Sequence, residues 1–212
     1  MKPKLSEKKK IILTILCLLL AAVWIWRYHS VNHFYHNHTT RTIAYYSMEE
    51  EVPFEDDFLE LHESAENCFI RVGNYEIADF VDYVQKNRIS LDSRQGKAPE
   101  KLVLVQITLY NRGPENRAIN LTNFALFGID SNPPMDYELL CQINPILSGG
   151  SWGIALHQSG KYQITLPYML FSDYYGYSTW NNLGDYTFYL QCTSFPTVKC
   201  IQLSPLEESI WK

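Results

Sequence analysis

The chain has few cysteines for its length, five in 212 residues, and no two of them form a C-x-x-C pair. That spacing marks the dithiol oxidoreductases, so disulfide-exchange chemistry is unsupported. Calcium loops are missing too. The acidic stretch MEEEVPFEDDFLELHESAE (residues 48–66) has neither the alternating Asp/Asn spacing nor the turn glycine of an EF-hand. Excess positive charge is absent from the body of the chain. The first ten residues, MKPKLSEKKK, carry +4 and residues 11–26 carry no charge, so the net charge of −5 leaves −9 for residues 27–212. A nucleic-acid-binding domain concentrates cations on its folded part, so no nucleic-acid partner is expected. Internal repeats and low-complexity segments are also lacking, which leaves a globular domain with 46% hydrophobic and 19% charged residues.

What is present begins with Ile11–Trp26, sixteen residues without a charge. At about 1.5 Å per residue they reach roughly 24 Å of a hydrocarbon layer about 30 Å thick. Trp24, Trp26 and Tyr28 gather at the far end, where amphipathic rings favour the headgroup layer, and the lysines before the run mark the cytoplasmic side. The flanks favour an uncleaved signal anchor over a cleaved signal peptide, because Ala21-Ala22 is followed by Val-Trp-Ile-Trp rather than by a polar mature start. The expected layout is a cytoplasmic basic tail (1–10), a transmembrane anchor (11–28), a juxtamembrane stalk (29–41) and an extracytoplasmic domain (42–212).

That domain reads as mainly β. KLVLVQITLYN alternates Val103, Val105, Ile107 and Leu109 with Leu104, Gln106, Thr108 and Tyr110, the period-two signature of a strand. CFIRVGNYEIAD, INLTNFALFGID, MDYELLCQINPIL, WGIALH, KYQITLP, YTFYLQCTS and TVKCIQLS are further strand candidates, separated by Gly, Pro, Asn and Ser. Ala78–Asn87 places Phe80, Val81 and Val84 on one helical face, which predicts a short helix. The spacing predicts an antiparallel, immunoglobulin-like β-sandwich with that one helix.

Several groups carry candidate chemistry. Gly149-Gly150-Ser151-Trp152-Gly153 matches G-x-S-x-G by letter, with His157 behind it, but strand-turn-strand follows where a nucleophile elbow needs a helix. His29, His33 and His36 fall at i, i+4 and i+7 if the anchor helix continues, a spacing that suits a shared Zn or Cu ion. The competing reading is a stalk leaving the lipid. Cys192 and Cys200 flank Phe195-Pro196-Thr197, and a cross-strand disulfide there competes with separate buried thiols. Leu166–Trp180 is read as a loop on which Tyr174, Tyr175, Tyr177 and Trp180 are candidate ligand-binding rings. Asn37-His38-Thr39 and Asn120-Leu121-Thr122 fit the glycosylation sequon by letter alone.

Arg27-Tyr28, Val31-Asn32, Glu51-Val-Pro-Phe-Glu-Asp-Asp57, Leu102–Asn111, Ile119-Asn-Leu121, Tyr137-Glu-Leu139, Asn144-Pro145 and Leu166-Pro-Tyr168 together carry a resemblance over nearly the whole chain. They are similar to an uncharacterised, domain-of-unknown-function family of membrane-anchored extracytoplasmic proteins from clostridial-type Gram-positive bacteria. The resemblance implies a telokin-like, immunoglobulin-type form and brings no catalytic residue or cofactor. The expected function is a non-catalytic binding module for a protein, peptide or envelope partner at the membrane, with no cofactor. The alternatives are a hydrolase built on Ser151 and His157, a metal site on the histidine stalk, or a purely structural accessory of a membrane complex.

Overall fold

A computed structural model describes residues 7–38, 42–55, 57, 65–90, 96–128, 131–147 and 151–203, with side chains described from Lys10 to Ser30 in the N-terminal helix. The chain divides into two compact units, residues 1–41 and 42–212.

The first unit contains helix α1, Glu7–His38. Within it Lys10–Ser30, 21 residues, is long and apolar enough to cross a membrane, and none of its most apolar window is buried in protein. The helix runs on through the segment read as a stalk, to His38.

The second unit is built from β1 (Thr42–Ser47), β2 (Val52–Pro53), β3 (Cys68–Asp79), α2 (Phe80–Asn87), β4 (Lys101–Asn111), β5 (Arg117–Asn120), β6 (Ala125–Phe127), α3 (Tyr137–Ile143), β7 (Gly153–Leu156), β8 (Lys161–Leu170), α4 (Tyr177–Asn181), β9 (Phe188–Gln191) and β10 (Thr197–Leu203). One four-stranded sheet has the order β2-β3-β4-β8 and is antiparallel throughout. The other has the order β1-β10-β9-β6. Here the expectation of an all-antiparallel domain is corrected, because β1 runs parallel to β10, with Thr42 opposite Thr197 and Ser47 opposite Gln202. β5 and β7 form a separate two-stranded ribbon.

Alternation along the strands decides where the core sits. Val103, Val105, Ile107 and Leu109 of β4 point inward with Ile70 and Val72 of β3. They share one apolar cluster with Leu126, Phe188, Leu190, Ile201 and Leu203 of the second sheet. A smaller cluster lies on the opposite face of the first sheet, where Leu102 and Leu104 receive Phe80 and Val84 of α2 and Leu139 of α3. β4 is thus covered on both faces at one end, which is why its apolar pattern is nearly continuous there.

The helices have local causes. Asp79 Oδ1 accepts from the backbone N–H groups of Val81 (3.0 Å) and Asp82 (3.2 Å), an N-cap that starts α2 one residue after the strand ends. Phe80 and Val84, four apart, are buried together, while Val81 lies on the exposed side rather than on the core face expected of it. In α3, Asp136 Oδ1 accepts from Leu139 N–H at 3.1 Å. The segment MDYELLCQINPIL is therefore a capped helix and a 3₁₀ turn, not a strand. Glu, Leu and Gln after an Asp cap favour the helix over the extended form. LPYML likewise belongs to β8 rather than to a loop. Pro167 is accommodated there because β8 is the terminal strand of its sheet.

Candidate functional site

The histidine candidates all lie on α1, whose backbone is helical through positions 29, 33 and 36. The ring of Tyr28 meets His29 edge to face, with centroids 6.0 Å apart. The side chains of His33 and His36 lie outside the described residues. Among the described residues, no group of three or more His, Cys, Asp or Glu side chains is arranged to hold a metal ion.

Ser151 and His157 stand at opposite ends of β7. Six residues of extended chain put them roughly 20 Å apart along the backbone. Ser151 Oγ is engaged locally with the backbone of Gly153, and the N–H of His157 donates to the Tyr162 hydroxyl. A strand, not a helix, follows Ser151. Gly149 and Gly150 lie outside the described residues.

Cys192 and Cys200 are free, buried thiols. The strand register accounts for this. Cys200 lies opposite Gln191 on β9, and Cys192 N–H donates to Lys199 O, so the two cysteines are offset by one residue and their side chains leave opposite faces of the strand pair. The cross-strand bridge is not formed. Burial pushes both thiols up, that of Cys192 far above its ordinary value. Such a thiol is inert.

The four aromatic candidates divide into two pairs. Tyr175 and Trp180 stack with centroids 5.9 Å apart and pack against the main core. The Tyr175 hydroxyl lies 2.8 Å from Ser131 Oγ, and Lys101 Nζ sits 5.0 Å over the Trp180 ring. Tyr174 and Tyr177 project outward at 72% and 87% exposure. The structure therefore makes half of the quartet scaffold and half surface.

Two arrangements lie outside the motifs legible in the sequence. The first is a buried ammonium. Lys199 on β10 is 2% exposed, and its Nζ contacts Glu55 Oε2 and Asp57 Oδ2, each at 2.7 Å. It also donates to the carbonyls of Pro53 (2.7 Å) and Phe54 (3.3 Å). Burial would push this ammonium down, but the hydrogen bonds to Asp57 and Glu55 and their charges outweigh it and hold it above its ordinary value. Asp57 spends its other oxygen on the N–H of Thr197 at 2.8 Å. The acidic stretch is thus docked on the second sheet by one fully engaged cation, with Phe54 buried beside it.

The second arrangement is a groove of about 420 Å³ on the outer face of the first sheet. The register sets Arg71, Thr108 and Gln163 in a row across β3, β4 and β8, with Gln106 and Thr165 in the next row on the same face. Ile143, Pro145 and Ile146, at the end of α3 and in the following turn, form its aliphatic wall. That wall is fixed by Asn144, whose carboxamide accepts from Thr165 N–H (2.8 Å) and donates to Thr165 O (2.8 Å) and Leu140 O (2.7 Å). The sequence signal for the groove is a pair of polar residues, Gln106 and Thr108, at outward positions of an otherwise apolar strand.

Comparison with known families decides membership. A domain of unknown function, DUF5028, matches residues 43–199. The chain belongs to the DUF5028 family. Both the Lys199 cluster and the groove fall inside the matched DUF5028 region. The Bacillus subtilis yjhA protein, known from a crystal structure, is similar at 11% identity with a TM-score of 0.40, over 75% of this DUF5028 chain and 99% of the other. No curated protein matches.

Proposed function

We propose that this DUF5028 protein is a single-pass membrane protein that holds a non-catalytic binding domain outside the cell. The observation that carries the reading is α1. Its 21-residue apolar stretch buries nothing against protein, so in water it would expose an apolar surface that only lipid covers at low cost. Four lysines precede the stretch, a fifth begins it, and Trp24, Trp26 and Tyr28 lie near its end, the asymmetry that orients an anchor with its N-terminus in the cytoplasm. The two-sheet domain, immunoglobulin-like in general form, then supplies a rigid frame for contact with a protein, peptide or envelope component. Tethering raises the local concentration of such a site at the surface. Separation of Ser151 from His157 by the length of β7 supports binding over hydrolysis.

Protease added to intact cells tests the orientation. Residues 42–212 should be removed while a tag at residue 1 survives. Loss of the N-terminal tag with survival of the domain would reverse the topology. Absence of the protein from the membrane fraction would end the reading.

A further inference from the structure

We propose that the groove between the first sheet and the α3 turn binds a short extended peptide by its free C-terminal carboxylate. The carboxylate sits on Arg71, and an aliphatic side chain about three residues upstream lies against Pro145 and Ile146. This deepens the binding reading above and shares its non-catalytic premise, but it does not depend on which side of the membrane the domain faces.

Arg71 argues for the carboxylate. Its Nε is buried and donates to no acceptor among the described residues, while Nη2 stands 3.4 Å from Glu49 Oε2. A guanidinium presents a planar fork that two carboxylate oxygens satisfy together, and here half of the fork is idle. Buried donors in native proteins are nearly always paired, so an idle one on a side chain that lines a groove points to what the groove receives.

Glu49 acts as a tethered substitute for the incoming group. Its N–H donates to Val72 O at 2.9 Å, and its backbone is held at a φ of 68°. Gly73 forms the bulge in β3 below it, and a Cβ there would lie 3.9 Å from Glu49 Oε1. The side chain therefore lies over Gly73 at the Arg71 end of the groove. A carboxylate already rests there on one nitrogen.

The remaining walls select peptide over other carboxylate-bearing ligands. Gln106 and Gln163 each offer an N–H donor and a carbonyl acceptor side by side on one carboxamide, the complement of a peptide group. Asn144 is already spent on Thr165 and Leu140. Among the described residues no aromatic ring lines the groove, so an acidic sugar finds no stacking surface there, whereas Ile146 is half exposed and suits an aliphatic side chain. Arg71 on β3 and the wall beside β8 are two strand spacings apart, about 10 Å, which is three residues of extended chain.

The test uses the full-length chain in lipid nanodiscs and ¹⁵N NMR, with the peptide acetyl-Leu-Ala-Ala-Ala as probe. The free acid should shift the Arg71 Nε–H and the Gln106 and Gln163 carboxamides saturably. The C-terminal amide should bind about tenfold more weakly or worse, and R71Q, with an otherwise unchanged spectrum, should lose about tenfold as well. E49Q, which removes the competitor and keeps its shape, should bind about threefold more tightly. R71K retains charge without the fork and should fall between wild type and R71Q. Equal binding of acid and amide, equal binding by R71Q, shifts centred on Tyr174 and Tyr177, response to a uronic-acid disaccharide instead, or no shift at millimolar peptide would each overturn the proposal. None of these results bears on membrane topology, which the protease experiment reads separately.

Discussion

Lys199 and Arg71 are both cations on central strands, one in each main sheet, and they are treated differently. The Lys199 ammonium has three donors and meets two carboxylates and two carbonyls within 3.3 Å. Arg71 has five donors and holds one carboxylate oxygen at 3.4 Å through one of them. Both are bordered by acidic residues from the same short stretch, Glu49 for one and Glu55 and Asp57 for the other. A charge that folding has consumed is a structural clamp. A charge with unused donors beside a groove has capacity left for another molecule.

The largest expected effect breaks the clamp. In K199M the aliphatic stem is replaced but Asp57, 6% exposed, keeps its charge with no cation beside it. Leaving one member of a buried pair uncompensated costs about 3–5 kcal/mol. Urea denaturation of the full chain in nanodiscs should show a midpoint lowered accordingly. An unchanged midpoint would place Asp57 in contact with solvent.

The pH dependence sharpens the comparison next. Burial raises the Cys68 thiol from 9.0 to about 11, against a smaller lowering by Arg117, and lifts Cys192 further. Both groups bind their protons more tightly in the folded state, so their contribution is complete below 9.0 and is lost as pH climbs through the folded values. Lys199 follows the same sign. Its contribution is complete below 10.5 and disappears as pH rises through its elevated folded value. Urea midpoints should therefore hold from about pH 7 to 9 and fall above it. K199M should shed only the part of the fall above 10.5.

The smallest effects come from the exposed partners. Glu55 is 66% exposed, so E55Q should cost under about 1 kcal/mol although it touches the same ammonium as Asp57. R71Q should change stability by less than about 0.5 kcal/mol, because its ion pair is open to solvent on both sides. Differential scanning calorimetry reads both. A large loss in R71Q would make Arg71 a second clamp and erase the distinction.

The long apolar helix is legible as sixteen residues without a charge, and strand β4 and the short helix after Asp79 as periods confined to about ten residues. The parallel strand β1 was hidden. Thr42–Ser47 is six residues long, and its partner lies some 155 positions away at the other end of the domain. Such a pairing leaves no local trace. The aromatic segment was half legible. Ring content marks Tyr174 to Trp180, but only packing separates Tyr175 and Trp180 from the outward Tyr174 and Tyr177. The acidic stretch shows in its sequence a run of carboxylates with Phe54 embedded in it. Phe54 does pin it, while Asp57 is buried on a lysine that no spacing rule connects to it. The groove was illegible for a related reason. Its polar row draws one residue from each of three strands spread over some ninety positions.

Asn144 has a further consequence. Its carboxamide occupies both main-chain groups of Thr165, and Pro134 and Asp136 continue the seal by bonding Met169 and Pro167. The last strand of the first sheet is therefore blunted along much of its length. An unblunted terminal strand is a template on which the edge of another copy can pair. The Asn144 amide and the Pro134–Asp136 segment together cover that edge, whereas β1 and β6 end the second sheet as terminal strands.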